Sequence, residues 1–374
     1  MKKLQSYLCP IVFCVFIFVM AVLLLFQPER EYSQREKRYL ATAPEWSVEG
    51  ILDGSAQTDL EAWTADQFPG RDAFMGINTY WTFASGRNAL QDVYLCQEDY
   101  LINAPVTLNL STFETNLTRF NGFAASCGVP ASMVLVPSAG WLKEDLLPAG
   151  HLEYHDDLLF ERAGELLTDV TFYDFRQALL AADEVGQVCY RTDHHLTAFG
   201  NYTLYDAWMT AKGESALDAA DYAIEEVGGF RGTTWSGSGY WLTPAESVEL
   251  WDSGAEVSVT ITDGGKEPIY ADSLFFRDHL EELDLYPVYL DGNHCEVGIV
   301  NEDAPERTLL IIKDSYAHCF APFLTEHYET IYLLDLRYYR GEVSTFIEEN
   351  GVDEVLFFYG AETLLTDTNS AWLR

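Results

Sequence analysis

The chain has 374 residues, of which 48% are hydrophobic and 14% aromatic, so it has ample material for a packed core and is not disordered as a whole. Its formal net charge is −37 at pH 7, and the excess of acidic residues lies past residue 40. A negative field of that size repels nucleic acids and other polyanions, which excludes nucleic-acid binding.

The N-terminal segment has the features of a membrane anchor. Lys2 and Lys3 precede 20 uncharged, apolar residues, Tyr7 to Phe26, a length that crosses a bilayer as one helix. The run ends in bulky residues rather than in the small residues of a cleavage site. We therefore predict a cytoplasmic tip and a single-pass anchor over residues 1–27, with the rest of the chain extracytoplasmic at the cell membrane. A cleaved secretion signal is the alternative.

Polar and charged residues follow over residues 28–46, where we predict a stalk. Residues 47–91 have the pattern of a helical N-terminal extension with one turn, Asp66 to Asp72. The proline of this turn prevents helical geometry at the residue before it, and the next glycine allows the chain to reverse. Beyond the apolar run, no two cysteines have the C-x-x-C spacing of a zinc or redox site.

From residue 92 onward, predicted strands and helices alternate. The strand candidates are Met133 to Ser138, Val170 to Tyr173, Gln187 to Arg191, Leu309 to Asp314, Thr330 to Leu336 and Glu354 to Gly360. The helix candidates are Ser111 to Cys127 with Ser111 as its cap, Asp156 to Leu167, Phe175 to Ala182, Thr197 to Lys212, Tyr316 to His327 and Val343 to Asn350. This alternation predicts a mostly parallel sheet flanked by helices.

Residues 213–305 differ in composition, because glycine, serine and threonine become more frequent. Within them, Val257 to Thr262 alternates as an antiparallel strand does. We therefore predict one α/β domain over residues 92–374, with a partly β insertion at about 213–305.

Two segments carry residues suited to nucleophilic chemistry. Asp193, His194 and His195 follow a predicted strand, and Ser315 lies between another predicted strand and a helix. Ligands of α/β sheets bind at the carboxyl ends of the strands, so these side chains can meet at one edge. Serine becomes a strong nucleophile when a base takes its proton and a carboxylate orients that base. Spacing alone does not choose between the two histidines.

Other interpretations of these residues stay open. The aspartate and the two histidines could hold a metal, although adjacent histidines on an extended segment point to opposite faces, and we predict none. They could also begin the helix that Thr197 caps. Ser315, by itself, could be an ordinary helix cap.

The segment Thr192 to Tyr202 resembles the TDHHW-type signature of the bacterial DHHW protein family. The resemblance continues in DQFPGRD at Asp66, GNH at Gly292, KDSYA at Lys313 and LLDLRYY at Leu333. This family is similar to the SGNH-type enzymes that O-acetylate alginate. The resemblance implies an SGNH-hydrolase-like fold in which Asp193 orients the base His195 and Ser315 is the nucleophile.

Four more residues are candidate oxyanion or substrate contacts. Tyr359 ends the second strand after the serine strand, where relatives place such a contact. His194 lies between the acid and the base, and Arg337 at a strand end can bind substrate or form a salt bridge. The amide of Tyr316, at the start of its helix, can face a developing negative charge.

The predicted function is an extracytoplasmic serine acyltransferase that O-acetylates a cell-surface or exported polysaccharide through an acyl-Ser315 intermediate. By resemblance, a membrane-bound O-acyltransferase partner supplies the acetyl group, and no cofactor is expected. A carbohydrate esterase (deacetylase) with the same triad is one alternative. A non-catalytic glycan-binding or assembly component is another, favoured by Leu196 in place of the signature tryptophan and by Lys313 in place of a glycine.

Overall fold

The computed structural model describes residues 2–33, 35–36 and 38–374; residue 1 of the predicted tip and residues 34 and 37 of the predicted stalk lie outside this range. Its α-helices are α1 (Lys2–Phe26), α2 (Val48–Asp53), α3 (Ser55–Asp66), α4 (Arg71–Ala84), α5 (Leu110–Cys127), α6 (Ala139–Leu142), α7 (Asp156–Leu166), α8 (Arg176–Asp183), α9 (Ala198–Ala211), α10 (Thr233–Ser238), α11 (Ala317–Phe320) and α12 (Val343–Asn350). Its strands are β1 (Tyr32–Ser33), β2 (Arg38–Tyr39), β3 (Ala89–Leu90), β4 (Val93–Leu95), β5 (Leu101–Asn103), β6 (Ala131–Val136), β7 (Thr171–Tyr173), β8 (Ala223–Phe230), β9 (Glu246–Asp252), β10 (Ser258–Thr262), β11 (Ile269–Ala271), β12 (Glu296–Val300), β13 (Thr308–Lys313), β14 (Thr330–Leu334) and β15 (Glu354–Gly360).

The chain divides into two compact units. The first consists of Met1–Leu90 with Ser236–Leu242, and the second of Gln91–Trp235 with Thr243–Arg374. In the first unit, α1 contains a 20-residue apolar segment that by length and composition can cross a membrane, as the apolar part of a secretion signal also can. Helices α2, α3 and α4 follow, and Gly70, at a φ of 70°, makes the turn before α4.

An eight-stranded sheet forms the centre of the second unit, in the order β11-β10-β12-β14-β13-β15-β6-β7. Strands β14, β13, β15, β6 and β7 run parallel, whereas β12, β10 and β11 extend one edge in antiparallel pairs. This arrangement confirms the prediction of an α/β fold with a mostly parallel sheet. The three antiparallel strands come from residues 213–305, so part of that segment is integral to the sheet.

Helices cover both faces of the parallel strands. Side chains alternate between the faces of a strand, and on one face Phe357 and Tyr359 pack on Phe120 of α5, with ring centroids 4.7 and 5.5 Å apart. On the other face Phe358 stacks on Phe320 of α11 at 4.4 Å. Burial of each such ring contributes roughly 1.5–3 kcal/mol. Because both faces are buried, polar groups are confined to the strand ends.

The helix predicted over Tyr316 to His327 is much shorter in the structure. The four-residue α11 is followed by a 3₁₀ turn, Ala321–Leu324. Pro322 has no N–H to donate, so the α-helical hydrogen-bond pattern cannot continue through it. The chain after β13 therefore forms short turns instead of one long helix.

Two asparagines connect helix α5 to its surroundings. Asn109, rather than the predicted Ser111, caps the helix by accepting a hydrogen bond from its backbone at 3.3 Å. Asn116 is buried, and its Nδ2 donates to the backbone carbonyls of Leu364 at 2.9 Å and Asp367 at 2.8 Å. The side chain of Asn116 therefore holds the segment that follows β15 against the helix.

Replacing Asn116 by alanine leaves these two carbonyls without that donor. We expect the free energy of unfolding to fall by about 1–3 kcal/mol. Thr118→Ala, at an exposed position of the same helix, is the matched control and should change it by less than about 0.5 kcal/mol. Urea titrations of the detergent-solubilised chain, followed by tryptophan fluorescence, measure both variants. Equal stability of Asn116→Ala and the wild type would contradict the proposed role.

Candidate active site

The serine, histidine and aspartate singled out in the sequence meet at the carboxyl edge of the sheet. Ser315 follows β13, and its Oγ lies 2.8 Å from Nε2 of His195. Nδ1 of the same ring is hydrogen-bonded to Oδ1 of Asp193. A proton on Nδ1 leaves Nε2 free to accept from the serine hydroxyl. The three side chains thus form one hydrogen-bonded chain, in which His195 and not His194 contacts the serine.

The segment with the two histidines lies on a tight loop. The strand predicted over Gln187 to Arg191 is wrong, because this run forms an isolated antiparallel bridge, Cys189 to Leu196, with the residues just beyond the loop. A short apolar run cannot by its pattern be assigned to a sheet strand rather than to a buried turn. Gly200 in α9 allows the close packing here, since a Cβ at this position would lie 2.2 Å from the carbonyl oxygen of Val188.

Asp193 is a buried carboxylate with both oxygens engaged. Oδ1 accepts from the ring of His195 and, at 3.0 Å, from its backbone N–H. Oδ2 accepts from the backbone N–H and the hydroxyl of Thr233, both at 2.7 Å. Burial alone would raise the pKa of Asp193, but the imidazoles of His195 and His194 and these hydrogen bonds hold that pKa well below its usual range. The acid is therefore ionised and fixed in position.

The imidazole of His195 packs against two other rings. Tyr286 stacks on it with centroids 3.9 Å apart and planes at 10°, and the ring of His194 lies 3.9 Å away at 37°. The hydroxyl of Tyr286 donates to the backbone carbonyl of Ser315 at 3.3 Å. Tyr286 therefore contacts both His195 and Ser315. The sequence carried no signal for this tyrosine, which begins a 3₁₀ turn, Tyr286–Val288, outside any motif.

Asp314 holds the turn that carries Ser315. Its Oδ2 accepts from Gly360 N at 2.9 Å and from Thr363 Oγ1 at 2.7 Å, and its Oδ1 accepts from Tyr316 N at 3.0 Å. Burial raises the pKa of Asp314, and these three donors oppose that rise. The side chain thus ties the turn to the end of β15.

A cleft of about 330 Å³ opens beside Ser315. Polar side chains in its lining include His194, Arg337, Ser138 and Glu362. Burial raises the pKa of Glu362 to about 7. The volume lies at the lower end of ligand sites in proteins, so the cleft suits a group the size of one sugar residue and not a whole chain.

Arg337 and His194, two of the predicted contact residues, line this cleft. The guanidinium of Arg337 forms a salt bridge, because its Nε and Nη2 donate to Asp335 at 2.9 and 2.6 Å. The ring of His194 lies with Nδ1 2.9 Å from the hydroxyl of Thr233. Both residues are partly exposed to the cleft, and both are held by neighbouring polar groups.

Tyr316 also lines the cleft, but its amide donates to Asp314, and its hydroxyl donates to the backbone carbonyl of His194 at 3.0 Å. Tyr359 is only 2% exposed and packs on Phe120 in the core. Its neighbour Gly360 lines the cleft instead. Neither the Tyr316 amide nor the Tyr359 ring is therefore presented to the cleft in this structure.

Asp193, His194 and His195 also offer ligating atoms within 4.8 Å of one another, a spacing that can hold a metal ion. In the arrangement seen, however, both oxygens of the aspartate accept from protein donors, and both ring nitrogens of His195 face protein partners. The donor set thus fits the hydrogen-bonded triad better than metal ligation.

Lys313, where the resemblance leads us to expect a glycine, is a buried residue of the core. Its Nζ lies 2.7 Å from Nε2 of His318 and 3.3 Å from Asp335. Burial and the charge of Lys313 hold the pKa of His318 well below its usual range, so the neutral imidazole can accept from the ammonium. The Lys313 side chain is therefore engaged by His318 and Asp335, and the hydroxyl of Ser315 keeps its contact with His195.

A serine, a histidine and an aspartate are thus joined by hydrogen bonds at the carboxyl edge of an α/β sheet. This is the arrangement found in proteins that use a serine side chain as a nucleophile. The chain matches the DHHW protein family over residues 36–111 and 173–334, and it belongs to that family. The match includes Asp193, His195 and Ser315. The resemblance seen in the sequence is confirmed.

Solved structures share the fold. A DHHW family protein from Eubacterium siraeum is 22% identical at a TM-score of 0.65, over 76% of this chain and 95% of that one. PatB1 from Bacillus cereus, solved with a sulfonyl adduct, is 21% identical at a TM-score of 0.64, over 75% of this chain and 100% of that one. The O-acetyltransferase domain of Pseudomonas putida AlgJ is more distant. It is 14% identical at a TM-score of 0.44, over 74% of this chain and 92% of that one. No curated protein matches the chain in sequence.

Buried Lys313 generates a prediction about pH. Burial, against the attraction of Asp335, lowers the pKa of Lys313 from 10.5 to about 8. Between these pH values the unfolded chain binds more protons than the folded one, so the free energy of unfolding rises with pH. Relative to Lys313→Met, the wild type should gain on the order of 3 kcal/mol between pH 8 and 10.5.

Urea titrations of both proteins across this pH range measure the difference. Comparison with the variant removes the contribution of titrating groups that do not contact Lys313. Parallel curves for the two proteins would show that the lysine is not held in the core.

Proposed function

We propose that the protein is an extracytoplasmic, SGNH-like serine acyltransferase that O-acetylates a cell-surface or exported polysaccharide. One observation carries the proposal: Ser315 Oγ lies 2.8 Å from Nε2 of His195, whose other ring nitrogen is bonded to the buried carboxylate of Asp193. This order of contacts activates a serine for attack on a carbonyl carbon. Membership of the DHHW family supports the proposal, because the matched residues include all three side chains.

In the first half-reaction Ser315 Oγ attacks the carbonyl carbon of an acetyl donor while Nε2 of His195 takes the hydroxyl proton. The tetrahedral adduct then collapses, the bond to the donor's leaving group breaks, and His195 gives the proton to that group. Asp193 stabilises the imidazolium and keeps its ring oriented throughout. The product is acetyl-Ser315.

In the second half-reaction a sugar hydroxyl enters the cleft, gives its proton to His195 and attacks the acetyl carbon. Collapse of the second adduct breaks the bond to Ser315, which recovers its proton from His195. These side chains carry the proton transfers of both halves, and the proposal includes neither a metal nor a cofactor. With water in place of the sugar, the same steps make a carbohydrate esterase, which is the second candidate function.

Two residues are proposed as substrate contacts. Arg337 and His194 line the cleft beside Ser315 and offer donors to a sugar hydroxyl or an acetyl oxygen. The earlier assignments of Tyr316 and Tyr359 are not carried into the proposal, because the amide of the first is bonded to Asp314 and the second lies in the core.

The acetyl donor is proposed to be a membrane-bound O-acyltransferase, as the family resemblance implies. Helix α1, as an uncleaved anchor, would keep the site at the membrane surface where such a partner works. Residues 28–46 are proposed to be the stalk that follows this anchor.

Ser315→Ala should abolish covalent acylation. The detergent-solubilised protein, treated with para-nitrophenyl acetate, should gain one acetyl group by intact mass, and the variant none. Turnover of the ester should fall by on the order of 10³-fold or more. Ser126→Ala, an exposed serine on α5, is the matched control and should behave as wild type. Equal adducts on wild type and Ser315→Ala would leave only a non-catalytic glycan-binding or assembly role.

An added saccharide separates transfer from hydrolysis. For a transferase, an acceptor with free hydroxyls should accelerate nitrophenol release, because it removes the acetyl group from Ser315 faster than water does. Acetylated sugar should also appear by mass spectrometry. A rate that stays unchanged, with acetate as the only acetyl product, would favour the esterase.

A further inference from the structure

Glu246, at the start of β9, makes four hydrogen bonds to the segment that leads into the triad. Its Oε1 accepts from the backbone N–H of Thr192 at 2.7 Å and from its hydroxyl at 2.5 Å. Its Oε2 accepts from Arg191 N and from Gln187 Nε2, both at 2.9 Å. Asp193 is the next residue along the chain. The carboxylate of Glu246 thus holds the backbone directly before the acid.

The contacts of Glu246 require a carboxylate. Each oxygen faces two N–H or O–H donors, so both oxygens must be acceptors. A glutamine would turn its NH₂ group towards one pair of those donors. Within the described part of the chain, Glu246 forms no ion pair with a lysine or arginine. Its negative charge is therefore balanced by the loop that it binds, and charge-assisted hydrogen bonds of this kind are the stronger ones.

Thr192 is also fixed from its other side. Its carbonyl accepts from the backbone N–H of Trp235 at 2.9 Å, and its hydroxyl accepts from Gly232 N at 3.2 Å. Thr233, the residue after Gly232, binds Asp193 directly. The loop is therefore clamped between β9 and the start of α10. Neither clamp contacts Ser315 or the cleft beside it.

We propose that Glu246 is a positioning residue for the acid–base pair, which it serves by fixing the backbone of Arg191 and Thr192. The inference rests on the proposed function, because the loss of Glu246 is detected through the reactivity of the Ser315 hydroxyl. Loss of the clamp lets Asp193 and His195 move together relative to the serine. A misplacement of about 1 Å in a catalytic geometry can lower a rate on the order of 10²-fold.

The test compares Glu246→Gln with Glu249→Gln in the detergent-solubilised full-length chain. Glu249 is the matched control: it lies on the same strand and lines the same cavity of about 420 Å³, and its carboxylate accepts from the indole N–H of Trp251 at 2.9 Å. Both changes remove one negative charge. Each protein is treated with an aryl sulfonyl fluoride, and intact mass gives the rate of adduct formation and its final amount.

The rate constant reports how well the base activates Ser315, and the final amount reports the fraction of molecules with a folded site. We expect Glu246→Gln to reach the same final adduct as wild type, with a rate constant lower by about 10- to 100-fold. Glu249→Gln should match the wild type in both. In ¹⁵N-labelled protein, the low-field proton signal of His195 Nδ1–H should broaden or move in Glu246→Gln alone.

Each other outcome counts against the inference. An unchanged rate constant in Glu246→Gln overturns it, and so does a lower final amount at an unchanged rate, which shows a purely structural role. Equal slowing in Glu249→Gln assigns the effect to charge and not to position. Failure of the wild type to form any adduct overturns the proposed function itself, and this inference with it.

Discussion

The burial of the Asp193 carboxylate is the constraint on which the rest of the site depends. An unpaired buried charge would cost several kcal/mol, so the fold must place a donor against each of its oxygens. His195 supplies two of these donors, and Thr233 supplies the other two. Gly232 leaves the room for them, because a Cβ there would lie 2.3 Å from the carboxylate. The orientation of the imidazole towards Ser315 follows from satisfying this one charge.

Residues 213–305 contribute side chains to the candidate site and strands to the central sheet. Thr233 binds Asp193, Glu246 binds the loop before Asp193, and Tyr286 stacks on His195. Strands β10 to β12 of the same segment continue the central sheet in antiparallel pairing. A chain without this segment would keep Ser315, His194 and His195, but it would lose the contacts made by Thr233 and Tyr286.

The sequence predicted the elements whose patterns are local. Strands β13, β14 and β15 are continuous apolar runs, and the position of Ser315 after the first of them predicted that its side chain lies at the carboxyl edge of the sheet. Gln187 to Arg191 was assigned wrongly because a short apolar run looks the same in a sheet and in a buried turn. Tyr286 and Glu246 could not be found, because they lie in a segment without a recognisable motif and their partners are many residues away along the chain. The burial of Lys313 likewise depends on partners, such as Asp335, that only the fold brings close.

The central claim is that Ser315 and His195 act as one unit, and a double-mutant comparison tests it most directly. Ester turnover is measured for Ser315→Ala, for His195→Ala and for the variant with both changes. Residues that act together lose nearly all of their effect when either is removed, so all three proteins should share the same residual rate. Losses that multiply in the double variant would contradict the account, because they would show two side chains working independently.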